Sequence, residues 1–293
     1  MANESNKPHD KPTDSRYIAA LEGLHDAFFL AMGKPIYAPI DLFQPGLRIL
    51  DSGCNNGRWM NDLALTCAPA AHQYYGTDLL DVFFPPNPPE NLHYSEQDIR
   101  NPWPAEWQGT FDFVHQRTVL VNARKKPIKD VLSQLTEVLK PGGWVQVMEG
   151  DFPPILENGP ALREFLDLGA WFFDVAGPGR EMGPNLKATL MDIGLHNSKD
   201  ETVYVAVGAK LNGQPSNVVN GSIEGLCAAI PGSLDIIRGK ETLQHTSLFD
   251  TYIGGGMEHP FSLDKLETLE DRLRTELLNT GGHLRYRVAW AQK

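Results

Sequence analysis

Cysteine is scarce in this chain, and the scarcity excludes two classes at once. Three cysteines in 293 residues, Cys54, Cys67 and Cys227, form neither a disulfide framework nor the paired spacing of a zinc site. No metal is expected, and free thiols suit a reducing compartment, the cytoplasm by default. No uninterrupted apolar run reaches the roughly 18 residues of a membrane span, and the N-terminal MANESNKPHDKPTDSR lacks the apolar core of a secretory signal. A membrane location is therefore not expected. Basic charge is also short. Against 37 Asp and Glu stand 26 Lys and Arg, a net charge of −11, which disfavours a broad nucleic-acid face. The densest basic cluster, Arg124, Lys125, Lys126 and Lys129, reads as a solvated helix start. The remainder, 41% hydrophobic and 22% charged, is ordinary globular composition in a chain long enough to bury a sizeable core.

The most informative stretch is ILDSGCNNGRW, from Ile49 to Trp59. A short apolar run ends in Asp51, a glycine-punctuated turn follows through Gly53 and Gly57, and a helical pattern begins near Arg58. Strand, tight turn and helix N-terminus together hold nucleotide-like ligands in α/β proteins. An acid ahead of the first glycine would repel a pyrophosphate and suits a cationic ligand instead. Asn55 stands in the turn, and asparagine is the side chain that best tolerates a left-handed backbone.

Hydrophobic periodicity orders the rest. Residues 1–13 read as a disordered tail and 14–44 as a helical N-terminal cap, with a helix ending at Met32 ahead of Gly33-Lys34-Pro35. Strands are expected at 47–51, 72–78, 91–98, 111–117 and 144–151, and helices at 59–67 and 127–139. That alternation implies a parallel, doubly wound sheet. FFPPNPPE, residues 83–90, reads as a proline-stiffened loop. Helices are expected again at 161–175, 184–194, 222–238 and 262–279, with strands at 201–208 and in the closing HLRYRVAWAQK. LNGQPSNVVNGS, residues 211–222, reads as a polar connection.

The acid-x-Gly-x-Gly-x-Gly arrangement of Asp51, Gly53, Asn55 and Gly57 resembles motif I of class I methyltransferases that use S-adenosylmethionine (SAM), with Asn55 in place of the middle glycine. FDFVHQR resembles their motif IV, LKPGGWVQVMEGD their entry to the fifth strand, and HLRYRVAWAQK their antiparallel seventh strand. The proline-rich LLDVFFPPNPPENLHY and the DIRNPWP turn resemble fungal secondary-metabolism members. The resemblance implies an α/β, Rossmann-like, doubly wound seven-stranded sheet. A SAM-binding core at 45–210 would precede an inserted substrate-cap region at 211–281, with the final strand of the sheet at 282–293.

The same resemblance implies SAM as cofactor and distributes roles over this chain's residues. Asp51, Ser52, Gly53, Cys54, Asn55 and Gly57 would hold the cofactor. Asp78, 21 residues after Gly57, would bind the ribose hydroxyls, with Leu79 beside it. Asp98 would accept from the adenine amino group and Ile99 would pack on the ring. His115, Gln116 and Arg117 would lie where the backbone passes the methionine moiety, at least one of them touching cofactor or substrate, and Asn122 and Arg124 would join the same rim. His115 and Glu149 are the candidate general bases, whereas Asp112 reads as structural. Arg117, Glu149, Trp171, Phe172 and His259 are the candidate substrate contacts, His259 within a mobile loop IGGGMEHPF.

The implied activity is methyl transfer to a small, largely apolar natural product, oxygen being the favoured acceptor atom. Two alternatives remain open: a cyclase or pericyclase that binds SAM without spending its methyl, and a regulatory partner protein on the same fold. The expected partner is a small molecule, with a homodimer possible.

Overall fold

The computed structural model describes residues 15–238 and 259–293. The expected tail at 1–13 and the stretch 239–258, which includes most of the expected glycine loop, lie outside the described residues. The core alternation runs as β1 (Arg48–Ser52), α2 (Arg58–Cys67), β2 (Gln73–Asp78), β3 (Leu92–Glu96), β4 (Phe111–Arg117), α3 (Ile128–Glu137) and β5 (Leu139–Gly150). It is preceded by α1 (Ser15–Met32). After it come α4 (Pro160–Ala176), α5 (Met182–Asp192), β6 (His196–Val207), α6 (Ser216–Cys227) and α7 (Ala229–Ile237). The chain closes with α8 (Leu263–Glu267), α9 (Leu269–Asn279) and β7 (Gly282–Gln292). Among the described residues, no helix is long and apolar enough to cross a membrane.

The seven strands form one sheet in the order β3-β2-β1-β4-β5-β7-β6. The first five pair in parallel, and β7 runs antiparallel between β5 and β6. This is the expected seven-stranded, doubly wound architecture. Strand order reverses between β1 and β4, so a crevice opens beyond their carboxyl ends, where α/β sheets bind ligands. Both faces of the sheet are covered. In β1, Ile49 packs into one apolar cluster with Met60, Leu162 and Leu273, while Leu50 packs into another with Leu132, Leu135 and Leu190. A strand buried on both faces must be apolar at consecutive positions, which is why Ile49 and Leu50 sit side by side.

Two expectations shift. The Lys-Pro-Gly-Gly segment, a helix stop ahead of a strand expected from Trp144, is itself the bulged entry to β5, for the β4–β5 register slips between Phe111 and Phe113. The polar 211–222 stretch contains the first half of α6, whose buried Val218, Ser222, Ile223 and Leu226 lie at helical spacing. Its polar residues masked that pattern. This helix packs against α1 with no room for side chains at the crossing. A Cβ on Gly23 would lie 2.1 Å from the Gly221 Cα, and one on Gly221 would lie 2.5 Å from the Gly23 Cα.

Candidate functional site

The crevice begins with the turn after β1. Gly53, Asn55 and Gly57 have φ 75°, 52° and 79°, so the turn takes positive φ three times, and the asparagine occupies the backbone state expected of it. Gly53 and Cys54 donate their backbone N–H groups to the Thr77 carbonyl at 2.7 and 2.8 Å, which ties the turn to the end of β2. Gly57 is the N-cap of α2. A Cβ there would meet the Tyr94 hydroxyl at 2.0 Å, so the position needs glycine twice over, for its backbone angle and for space.

Asp51 and His115 sit directly opposite each other on β1 and β4. The His115 Nδ1 lies 2.7 Å from the Asp51 Oδ1, and both side chains are buried. The Trp59 indole stacks on the imidazole at 3.9 Å and 4° between planes. Burial lowers the His115 pKa, outweighing the hydrogen bond to Asp51 that acts to raise it. The result is a neutral ring that donates from Nδ1, leaving Nε2 as its basic nitrogen. Side chains alternate along strands, so Ser52 and Gln116 point to the opposite face. The Ser52 hydroxyl donates to the Gln116 Oε1 at 3.0 Å, both residues are fully buried, and neither side chain borders the crevice. Their expected cofactor contacts are corrected accordingly.

Asp78 closes β2 and faces the same opening. Its Oδ2 accepts the Asn55 N–H at 2.9 Å, and burial pushes its pKa up against that bond. Leu79 and Ile99 line the crevice beside it. Asp98 also borders it, but Arg100 grips both carboxylate oxygens and donates its own backbone N–H at 2.9 Å. Burial acts to raise the Asp98 pKa, and the Arg100 hydrogen bonds and charge overcome it, so the carboxylate sits below its usual range.

A continuous cavity of about 280 Å³ runs from these acids across the ends of β4 and β5. Its far wall is apolar: Val121, Phe152, Phe165, Leu166, Phe173, Leu226 and Leu284. Glu149 enters at that wall, fully buried. Its Oε1 accepts the backbone N–H groups of Val119 and Leu120 at 2.9 and 2.8 Å. Its Oε2 is buried with no hydrogen-bond partner. Burial raises the Glu149 pKa to about 8, only partly offset by those two N–H groups. Tyr286, opposite Gly150 on β7, lines the cavity beside it, its hydroxyl pKa raised by burial.

The structure separates the remaining expected residues. Gly53, Cys54, Asn55, Arg117, Asn122 and Arg124 all line the cavity. Trp171 and Phe172 do not; they belong to the core, at 8% and 0% exposure. On α4 the cavity face carries Phe165, Leu166, Gly169 and Phe173, and at about 100° per residue Trp171 points the other way. Three adjacent aromatics cannot all share one helical face, and Phe173 is the one that reaches the site. His259 lies outside the lining too, stacked on Phe261 with its ring edge to Trp171. Asp112 is structural as expected, accepting the Arg48 N–H and the Lys140 ammonium. The sequence reading missed Trp59, Tyr286 and His25 on α1, which also line the cavity. A histidine within an otherwise apolar helix was the available signal for the last.

The crevice fits an adenosyl cofactor by the chemistry of its side chains. Asp78 presents a carboxylate able to accept from hydroxyl groups, Leu79 and Ile99 offer apolar contact to a planar base, and Asp51 offers negative charge toward a cation. Comparison with known proteins agrees. A family model described as a methyltransferase domain matches residues 24–196. Methyltransferase psoC of Aspergillus fumigatus is 31% identical over 280 residues, covering 96% of this chain and 91% of that protein. N-methyltransferase sirN of Leptosphaeria maculans is 32% identical over 277 residues, covering 92% and 89%. In fold alone, the chain resembles Haemonchus contortus phosphoethanolamine N-methyltransferase 2 in complex with S-adenosyl-L-methionine, with a TM-score of 0.50. That match has 15% identity and covers 96% of this chain and 57% of that one.

Proposed function

The chain belongs to the class I SAM-dependent methyltransferases, and we propose that it methylates a small, largely apolar acceptor of secondary metabolism. The observation that carries the acceptor reading is the Glu149 Oε2, buried and without a partner, at the point where the apolar wall meets the cofactor crevice. An acceptor atom that must shed a proton, nitrogen or oxygen, is what this oxygen can serve. Oxygen was the expectation from sequence. The relatives from Leptosphaeria maculans and Claviceps purpurea, each 32% identical, are named N-methyltransferases, so nitrogen is the first acceptor to test.

Bound SAM supplies an electrophilic methyl carbon on its sulfonium. The protein's part is alignment, which can remove about 7–11 kcal/mol of barrier when the reacting atoms are held in line. Phe152, Phe165 and Phe173 exclude water and orient the acceptor, and Glu149 takes its proton on Oε2 in its ionised form, whose share grows as pH rises toward about 8. His115, pinned between Asp51 and Trp59 and lowered in basicity by burial, is a wall of the methionyl pocket in this reading. The 45–210 core carries the cofactor in this reading, and α1 and α6 add His25, Phe28 and Leu226 to the cavity wall.

The test is incubation with SAM and an extract of the source organism, followed by mass spectrometry. Products heavier by one methyl, formed with S-adenosylhomocysteine, are the expected result. In the Glu149→Gln variant their formation should fall about 10²–10⁴-fold. Conversion of a substrate without S-adenosylhomocysteine would point instead to a cyclase. Stable association with another polypeptide and no turnover would point to a regulatory partner.

A further inference from the structure

Arg117 is a cation of this cavity. At the end of β4 it lies two residues beyond His115 and so shares the face of Asp51. Its guanidinium sits 4.8 Å over the Phe28 ring, and its Nη2 donates to the His25 Nδ1 at 2.9 Å. Among the described residues no acid lies within ion-pair distance of it. The neighbouring arginines differ. Arg58 is paired with both Asp26 and Asp62, and Arg100 with Asp98. Burial acts to lower the Arg117 pKa, and the charges of Asp51, Tyr286 and Asp62 offset it only in part.

His25 holds that guanidinium in place. Its Nε2 lies 3.0 Å from the Asp62 Oδ2, and the ring is buried, with its pKa lowered chiefly by that burial. A neutral ring that donates from Nε2 to Asp62 has a free lone pair on Nδ1, and Arg117 donates to it. His25, Asp26 and Asp62 bring ligand-type atoms within 4.8 Å of one another. Arg58 already bonds to both carboxylates, however, and Arg117 to the imidazole, so the cluster is a charge-balanced relay rather than a metal cage.

Charge accounting then identifies the anion. The cofactor carries two cations, its α-ammonium and its sulfonium, and one anion, its α-carboxylate. The crevice supplies acids at Asp51 and Asp78 and, on the face shared with Asp51, the unpaired Arg117. We infer that Arg117, set by the Asp62–His25 relay, binds the α-carboxylate of the cofactor's methionyl arm. His25 of α1 is thereby a positioning residue for cofactor binding. This reassigns Arg117 from the acceptor to the cofactor, and it rests on the SAM-dependent reading above.

Titration calorimetry with two probes tests it: S-adenosylhomocysteine, and its decarboxylated analogue, which keeps adenosine, thioether and amine. Wild-type protein should prefer the carboxylate-bearing probe by about 10–100-fold, as for a charged hydrogen-bonded pair in a buried site. Arg117→Met should lose that preference by weakening the first probe alone, and Arg117→Lys should keep part of it. His25→Phe should reduce the preference with the analogue's affinity unchanged, which a general loss of packing would not do. Undiminished preference in a folded Arg117→Met protein overturns the inference and leaves the methyltransferase reading standing. Failure of wild-type protein to bind S-adenosylhomocysteine overturns both.

Discussion

Replacing Glu149 by glutamine should make the protein more stable at alkaline pH, an unusual outcome for a substitution in a site. The reasoning starts from two oxygens. One accepts two backbone N–H groups, and the other is buried without a partner. Burial therefore raises the carboxyl pKa from 4.5 to about 8. Between those values the unfolded chain has released a proton that the folded chain keeps. The folded state then loses roughly 1 kcal/mol for each pH unit as pH rises through that window. Glutamine keeps the acceptor for Val119 and Leu120 and never ionises. At pH 5 the two proteins should unfold at similar urea concentrations. By pH 8.5 the variant should lead by about 2–4 kcal/mol, the buried charge being the difference. Urea unfolding at three pH values between 5 and 8.5 measures this directly. A gap that stays constant with pH would show that Glu149 is not held in its acid form, and the argument from burial would fail.

Other outcomes follow from the same geometry. Asp78→Ala should weaken S-adenosylhomocysteine binding by about 10–100-fold while circular dichroism stays native, and unchanged affinity by calorimetry would remove Asp78 from the site. Asn55→Val should cost about 1–2 kcal/mol and Asn55→Gly less, because φ 52° is open to glycine and closed to a β-branched side chain, and glycine loses only the Oδ1 that accepts the Asn56 N–H; equal melting temperatures of the two variants would contradict this. Trp171→Ala should destabilise by about 3–5 kcal/mol and leave the acceptor KM of the folded fraction unchanged. Phe173→Ala should raise that KM, and the reverse pattern would return Trp171 to the acceptor wall.

The sheet was legible in the sequence because its signals are local. Asp51, Gly53 and Gly57 mark a strand, a turn and a helix within ten residues, and Asp78 falls at the spacing that ends the next strand. Asn55 was legible for the same reason, since backbone handedness is a property of one residue. The acceptor side was less legible because helical phase decides it. Among Trp171, Phe172 and Phe173 the sequence shows three aromatics, and only the pitch of α4 against the sheet decides that the third faces the cavity. Ser52 and Gln116 failed by the two-residue alternation of strands: each neighbours a lining residue and therefore points away from it. His25 and Tyr286 come from opposite ends of the chain, so no short motif could join them to Asp51.

The contact between Gly23 and Gly221 has a consequence for how such a site can diversify. With hydrogen atoms alone at the joint, the first helix and the helix inserted before the last strand touch main chain to main chain, and neither can slide without collision. The arginine clamp reached through His25 and the acceptor wall reached through Leu226 are thus riveted to one another. Selection for a new acceptor can exchange side chains farther along the inserted helix, yet the rivet itself must stay bare for the cofactor's roof to keep its height.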